Sequence, residues 1–156
     1  MKVNMFRHED ASIKAKLDKF VVDVYTPVLD RLKWEASSNE PMKVSMLRAM
    51  IISRLSRVGH ETTIQSARQK FREHVDNKSE LNPDLRSVIY GTVTRNDGNE
   101  GIEKVRKIFE TVGFSEVERN CIAALGQASD EALLKHVYDY GVKQGKIRSQ
   151  DLITIP

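Results

Sequence analysis

Histidine followed by glutamate occurs twice, in His8-Glu9-Asp10-Ala11-Ser12 and in His60-Glu61-Thr62-Thr63-Ile64. The same pair opens the H-E-x-x-H helix, where two histidines one turn apart hold zinc and the glutamate activates its water. Here Ser12 and Ile64 stand where the second histidine belongs. A catalytic zinc takes three protein ligands, and His74 and His136 are remote in sequence, so no metal site is expected in this chain. His60, directly after Gly59, reads as a residue at a helix start.

Other chemistry is equally sparse. Cys121 is the single cysteine, which excludes an intrachain disulfide and any cysteine-based zinc cluster. It falls on an apolar stripe and is expected to be a buried small hydrophobe rather than a nucleophile. There is no G-x-S-x-G, no P-loop and no G-x-G-x-x-G. Acidic residues are scattered over polar helix faces. Arg54, Arg57, Arg68, Lys70 and Arg72 are spread around their helices and interleaved with Glu61 and Glu73, so no nucleic-acid surface is expected. Tyr138 and Tyr140 read as packing and rim residues. No catalytic residue is expected.

The elements that carry these residues have helical periodicity throughout. Leu17, Phe20, Val21, Val24, Tyr25, Val28, Leu29 and Leu32 share one stripe, with Pro27 expected to kink that helix or open a second behind Thr26. Val44, Leu47, Met50, Ile51, Leu55 and Val58 form the next stripe, stopped by Gly59. Thr62 and Gln65 suggest a capping box before Ile64, Ala67, Phe71 and Val75. Asn82-Pro83-Asp84 resembles a helix start ahead of Leu85, Val88, Ile89 and Val93, and Asn96-Asp97-Gly98 reads as a turn. Ile102, Val105, Ile108, Phe109 and Val112 end at Gly113. Ser115 with Glu118 suggests a second capping box before Val117, Cys121, Ile122 and Leu125. Ala132, Leu133, Val137 and Tyr140 give a seventh helix, and a short eighth is expected at Ser149.

No segment alternates with period two over strand length. The expected fold is therefore all-α, with paired antiparallel helices at about 41–76, 83–113 and 115–143 stacked as a short α-α superhelix of HEAT/armadillo type. A plain helical bundle is the competing architecture. The 156 residues suit one domain, 40% apolar and 30% charged, with a net charge of +3 that is too small and mixed to define a partner. No run of 18 apolar residues exists to span a membrane, and the N-terminus meets charge too early to resemble a signal peptide. An intracellular, cytoplasmic chain is expected.

Four segments together resemble one family. Tyr25-Thr26-Pro27-Val28-Leu29-Asp30-Arg31-Leu32-Lys33-Trp34 is similar to the Y-x-P-x-x-x-x-L-G-W segment of zinc-dependent gluzincin aminopeptidases, close to their puromycin-sensitive branch. Leu81-Asn82-Pro83-Asp84-Leu85-Arg86-Ser87-Val88-Ile89-Tyr90 resembles L-x-x-D-L-R-S-P-V-Y of that branch. Arg68, Phe71, His74-Val75 and Lys78 fit A-R-x-x-F-x-x-H-V-x-x-K, and Ile147-Arg148-Ser149-Gln150-Asp151 resembles V-R-x-Q-D. Lys33 stands where the family carries Gly, and Val88 where Pro is common, which should leave the helix after Arg86 more regular.

The resemblance implies a non-catalytic C-terminal helical domain, with the zinc and the H-E-x-x-H motif in a catalytic domain that this sequence lacks. It implies partnership with that catalytic domain and with peptide substrate, and substrate contact through Arg86, Tyr90, Arg148 and Gln150. The alternative for the arginines is that they tie adjacent helices together through Asp84, Asp151 or carbonyls. A stand-alone helical interaction module descended from such an enzyme is the second functional reading. The whole chain, 1–156, is expected to be one helical domain and part of a larger one. Its apolar end then invites self-association through Leu152, Ile153 and Ile155.

Overall fold

The computed structural model describes residues 11–77, 79–148 and 151. Among these described residues seven α-helices follow in order: α1 Ala11–Leu32, α2 Met42–Arg57, α3 Glu61–Val75, α4 Pro83–Asn96, α5 Gly98–Val112, α6 Ser115–Leu125 and α7 Glu131–Tyr138. A π-helical turn, Asp139–Lys143, continues α7. Among the described residues there is no strand, and the class is all-α. The neighbouring helices α1 and α2, α4 and α5, and α5 and α6 pack on one another, consistent with stacked helix pairs. The chain divides into two compact units, Met1–Thr63 and Ile64–Pro156. The eighth helix expected at Ser149 falls largely outside the described residues.

In the first unit, α1 packs on α2. Helix α1 runs through Pro27 without a break, so the second helix expected behind Thr26 does not form. Its expected apolar stripe is also only partly covered: Leu29 is buried, whereas Phe20 and Val24 are exposed. In α2 the inward face is rotated from the expected one. Ser45, Arg48, Ile51, Ile52, Leu55 and Ser56 are buried, and Leu47 and Met50 lie outside.

The reason for that rotation is Arg48. Its guanidinium, 1% exposed, grips both carboxylate oxygens of Glu40. It also donates to the carbonyls of Lys33 (2.8 Å) and Leu32 (3.1 Å). Ser45 Oγ adds a bond to Glu40 at 3.2 Å. A buried cation is tolerable only when paired and hydrogen-bonded, and here all three nitrogens of the fork donate. Those hydrogen bonds hold the Glu40 carboxyl below its usual range. Lys33 adopts φ 58°, the left-handed conformation that ends a helix, and its N–H bonds Leu29 O at 2.7 Å. The tight helix end therefore persists although Gly is absent.

The second unit has a continuous apolar core. Helices α4, α5 and α6 pack mutually, and α7 touches α5. Leu85, Ile89, Tyr90, Val93, Ile102, Val105, Val117, Cys121, Ile122 and Leu125 are all buried there. Asn82 caps α4 by accepting from Asp84 N–H at 2.9 Å, with Pro83 at the first turn, as its sequence suggests. Val88 leaves α4 uninterrupted. Gly101 lets α5 approach α4 closely, since a β-carbon there would lie 2.5 Å from Val93 O. Arg68 of α3 bonds Asp97 at 2.7 Å beyond the end of α4.

Neither capping box forms as expected. Helix α3 begins at Glu61, so Thr62 is already inside its first turn, and His60 Nδ1 bonds Thr63 Oγ1 instead (2.8 Å). Helix α6 starts behind Phe114 with no side-chain cap, leaving Ser115 exposed.

Candidate functional site

A concavity of about 540 Å³ opens in the second unit between α5, α6 and the chain that follows α7. Phe109 and Ile122 contribute apolar surface, Glu110, Glu118 and Asp151 carboxylates, Lys146 and Arg148 cations, and Tyr140 a phenol. Local backbone geometry brings the cations there. After the π-helical turn, Ile147 N–H bonds Gly141 O at 3.1 Å, and Ile147 folds over Gly141 so tightly that a β-carbon would sit 2.8 Å from its Cδ1. Ile147 is buried as a result, while Lys146 and Arg148 on either side of it are exposed.

Tyr140 is fixed from two sides. Its hydroxyl donates to Glu110 Oε1 at 2.9 Å, and the Arg106 guanidinium lies over its ring, 5.0 Å from the centroid. Burial, reinforced by the Glu110 carboxylate, pushes the phenol pKa up, so Tyr140 stays a protonated donor. Arg106 also pairs with Glu103 at 2.8 Å and Glu110 at 3.6 Å. The guanidinium of Arg148 offers a planar fork for a carboxylate. With carboxylates and cations both in its lining, the concavity suits a charged or zwitterionic chain.

The Cys121 thiol is buried and pushed up to about 12 by desolvation, so it is protonated and inert at neutral pH. Among the described residues, no group of three His, Cys, Asp or Glu side chains could hold a metal ion.

The expected site residues do not converge. Arg148 lines the concavity; Gln150 lies outside the described residues. Arg86 is half-buried on α4 and is not part of the lining, and neither is Tyr90. The expectation of a direct contact through Tyr90 needs correction. Its side chain is 0% exposed, edge-on to Phe71 at 5.7 Å, with its hydroxyl 3.0 Å from His74 Nε2. Burial raises its pKa to about 12. Desolvation, then the Arg86 charge, lowers that of His74. Glu110, Glu118 and Lys146 were not legible as site residues. Glu110 and Tyr140 are 30 residues apart, and no local pattern links them.

Comparison with known proteins agrees with this picture. The family model described as "ERAP1-like C-terminal domain" matches residues 3–155. Puromycin-sensitive aminopeptidase of Caenorhabditis elegans is 33% identical over 92% of this chain and 15% of its own length. Aminopeptidase M1-A of Oryza sativa subsp. japonica is 29% identical over 88% of the chain and 16% of itself. Alanine/arginine aminopeptidase of Saccharomyces cerevisiae is 28% identical over 94% and 17%. The chain thus spans about a sixth of the curated relatives it matches. With an all-helical fold, no catalytic constellation among its described residues and a family match over nearly its whole length, the chain belongs to the ERAP1-like C-terminal domain family.

Proposed function

We propose that this chain is a non-catalytic C-terminal helical domain of a cytoplasmic zinc aminopeptidase of the puromycin-sensitive type. In this reading it covers the active-site cleft of the catalytic domain, which holds the zinc, and helps to bind peptide substrates. The observation that carries the reading is the family match over residues 3–155, with aminopeptidases as the similar relatives. Arg148 then receives a carboxylate of the peptide, assisted by Lys146, while Glu110 and Glu118 favour basic groups. Arg86 and Gln150 are further substrate-contact candidates in this reading. Association through Leu152, Ile153 and Ile155 belongs to the same proposal and is tested by sedimentation with and without those side chains.

The test is made in the full aminopeptidase. Arg148→Ala should raise KM for peptides several-fold, with Arg148→Lys recovering part of the loss, while turnover of a single aminoacyl reporter stays unchanged. Equal effects on both substrates would point to a structural role. The isolated chain should neither retain zinc after dialysis nor hydrolyse the reporter. Stoichiometric zinc with chelator-sensitive hydrolysis would sink the non-catalytic assignment.

A further inference from the structure

Helix α2 has two opposite faces of different chemistry. One buries Ser45, Arg48, Ile52 and Leu55 within the fold. On the other, Met42, Met46, Met50 and Leu47 form a stripe exposed by 78, 65, 40 and 40%. With 3.6 residues per turn, Lys43 and Arg54 fall within that same stripe, between the methionines and Leu47. From Met42 to Arg57 the helix contains no Asp or Glu. Thioether side chains are flexible and polarizable and repack around varied partners. Contiguous exposed apolar groups set among charges are characteristic of contact surfaces.

We propose that this face of α2 docks an acidic amphipathic helix of a protein partner. Its apolar side chains would seat on Met42, Met46, Met50 and Leu47, and its carboxylates would meet Lys43 and Arg54 in a helix-on-helix mode. Charge complementarity selects this occupant, because the stripe offers cations and no anion of its own. A lipid surface fits less well. Interfacial helices segregate their cations from the face that enters about 5–10 Å of the acyl boundary and anchor with aromatics. Here the cations stand inside the apolar stripe and no aromatic residue accompanies them.

The probes are a fluorescein-labelled synthetic helix with leucines at i, i+3, i+4 and i+7 and glutamates elsewhere, the same helix with lysines for glutamates, and phosphatidylglycerol vesicles. The chain should bind the glutamate helix at least tenfold more tightly than the lysine helix, and more weakly as salt rises. Met46→Ser/Met50→Ser should weaken binding about tenfold, with helix content checked by circular dichroism. Lys43→Glu/Arg54→Glu should reverse the preference between the two helices, and it decides alone if the methionine variant loses helix content. Equal affinity for both helices, no measurable binding, or indifference to these substitutions overturns the proposal. So does binding to vesicles alone, or a dimer in sedimentation that protects the α2 amides, which would assign the face to lipid or to a second copy.

Discussion

Residues up to Thr63 carry eleven Lys and Arg against eight Asp and Glu, whereas Ile64 onward carries fourteen of each. The second unit has the larger apolar interior: half of α4 and the facing positions of α5 and α6 are buried, although Phe114 and Tyr138 stay exposed. The first unit places an ion pair inside, Arg48 with Glu40, and leaves Phe20, Val24, Met42 and Met46 outside. The same helical period thus ends in two outcomes. A stripe in the sequence tells that a helix has an apolar face; whether that face is covered depends on what packs against it.

The largest expected effect breaks this contrast at Arg48. Arg48→Ala leaves the Glu40 carboxylate and the Leu32 and Lys33 carbonyls without their donor, and losing one member of a buried pair costs about 3–5 kcal/mol. Hydrogen exchange of the α1 and α2 amides, with denaturant titration, reads the loss. A cost below about 1 kcal/mol would show that the network is replaceable. In the second unit the matching test is Gly101→Ala. Its β-carbon would press on Val93 O at 2.5 Å, so α4 and α5 must separate at about 1–3 kcal/mol. An unchanged melting temperature would mean that the two helices slide freely.

How much of this was legible follows the same division. Where a residue acts through local backbone geometry, the sequence announced it: Asn82-Pro83 capped α4, and Gly113, in the left-handed conformation, closed α5. Cys121 was legible as core because its neighbours on the helix are apolar. Arg48 was not, because a charged residue one position off an apolar stripe looks solvated, and its partners lie 8, 15 and 16 residues away. Tyr90 was misread for the complementary reason, since a motif match carries no information on burial. The concavity joins residues from α5, α6 and the segment after α7, and of its lining only Arg148 was named in advance as a substrate contact.

A smaller effect comes from His74. Its folded pKa is depressed, chiefly by desolvation, so the folded state binds fewer protons than the unfolded one below the ordinary histidine range. Stability is full above the unfolded value, about 6.5, and declines as pH falls toward the depressed folded value. Melting temperatures between pH 7 and 5 should fall less steeply in His74→Gln than in the unaltered chain. Parallel slopes would remove His74 from the account.

The smallest effect is the most specific to the first unit. Lys33 holds φ 58°, a conformation that costs an L-residue about 1–2 kcal/mol and glycine almost nothing. It persists because the Lys33 N–H bonds Leu29 O and the Lys33 carbonyl accepts from Arg48. Lys33→Gly relieves the strain and keeps both backbone bonds, but it also loosens the unfolded chain, which returns about 0.4–1 kcal/mol. The balance should be a gain of about 0.5–1 kcal/mol, visible as a higher denaturant midpoint at unchanged slope. The sharper form combines it with Arg48→Ala. If the Arg48 contact is what holds the turn, the glycine should gain less in that background than alone, because residue 33 is then free to leave the left-handed conformation and little strain is left to relieve. Equal gains in both backgrounds would mean that the helix end is set by the Leu29 bond, and that Arg48 contributes only through Glu40.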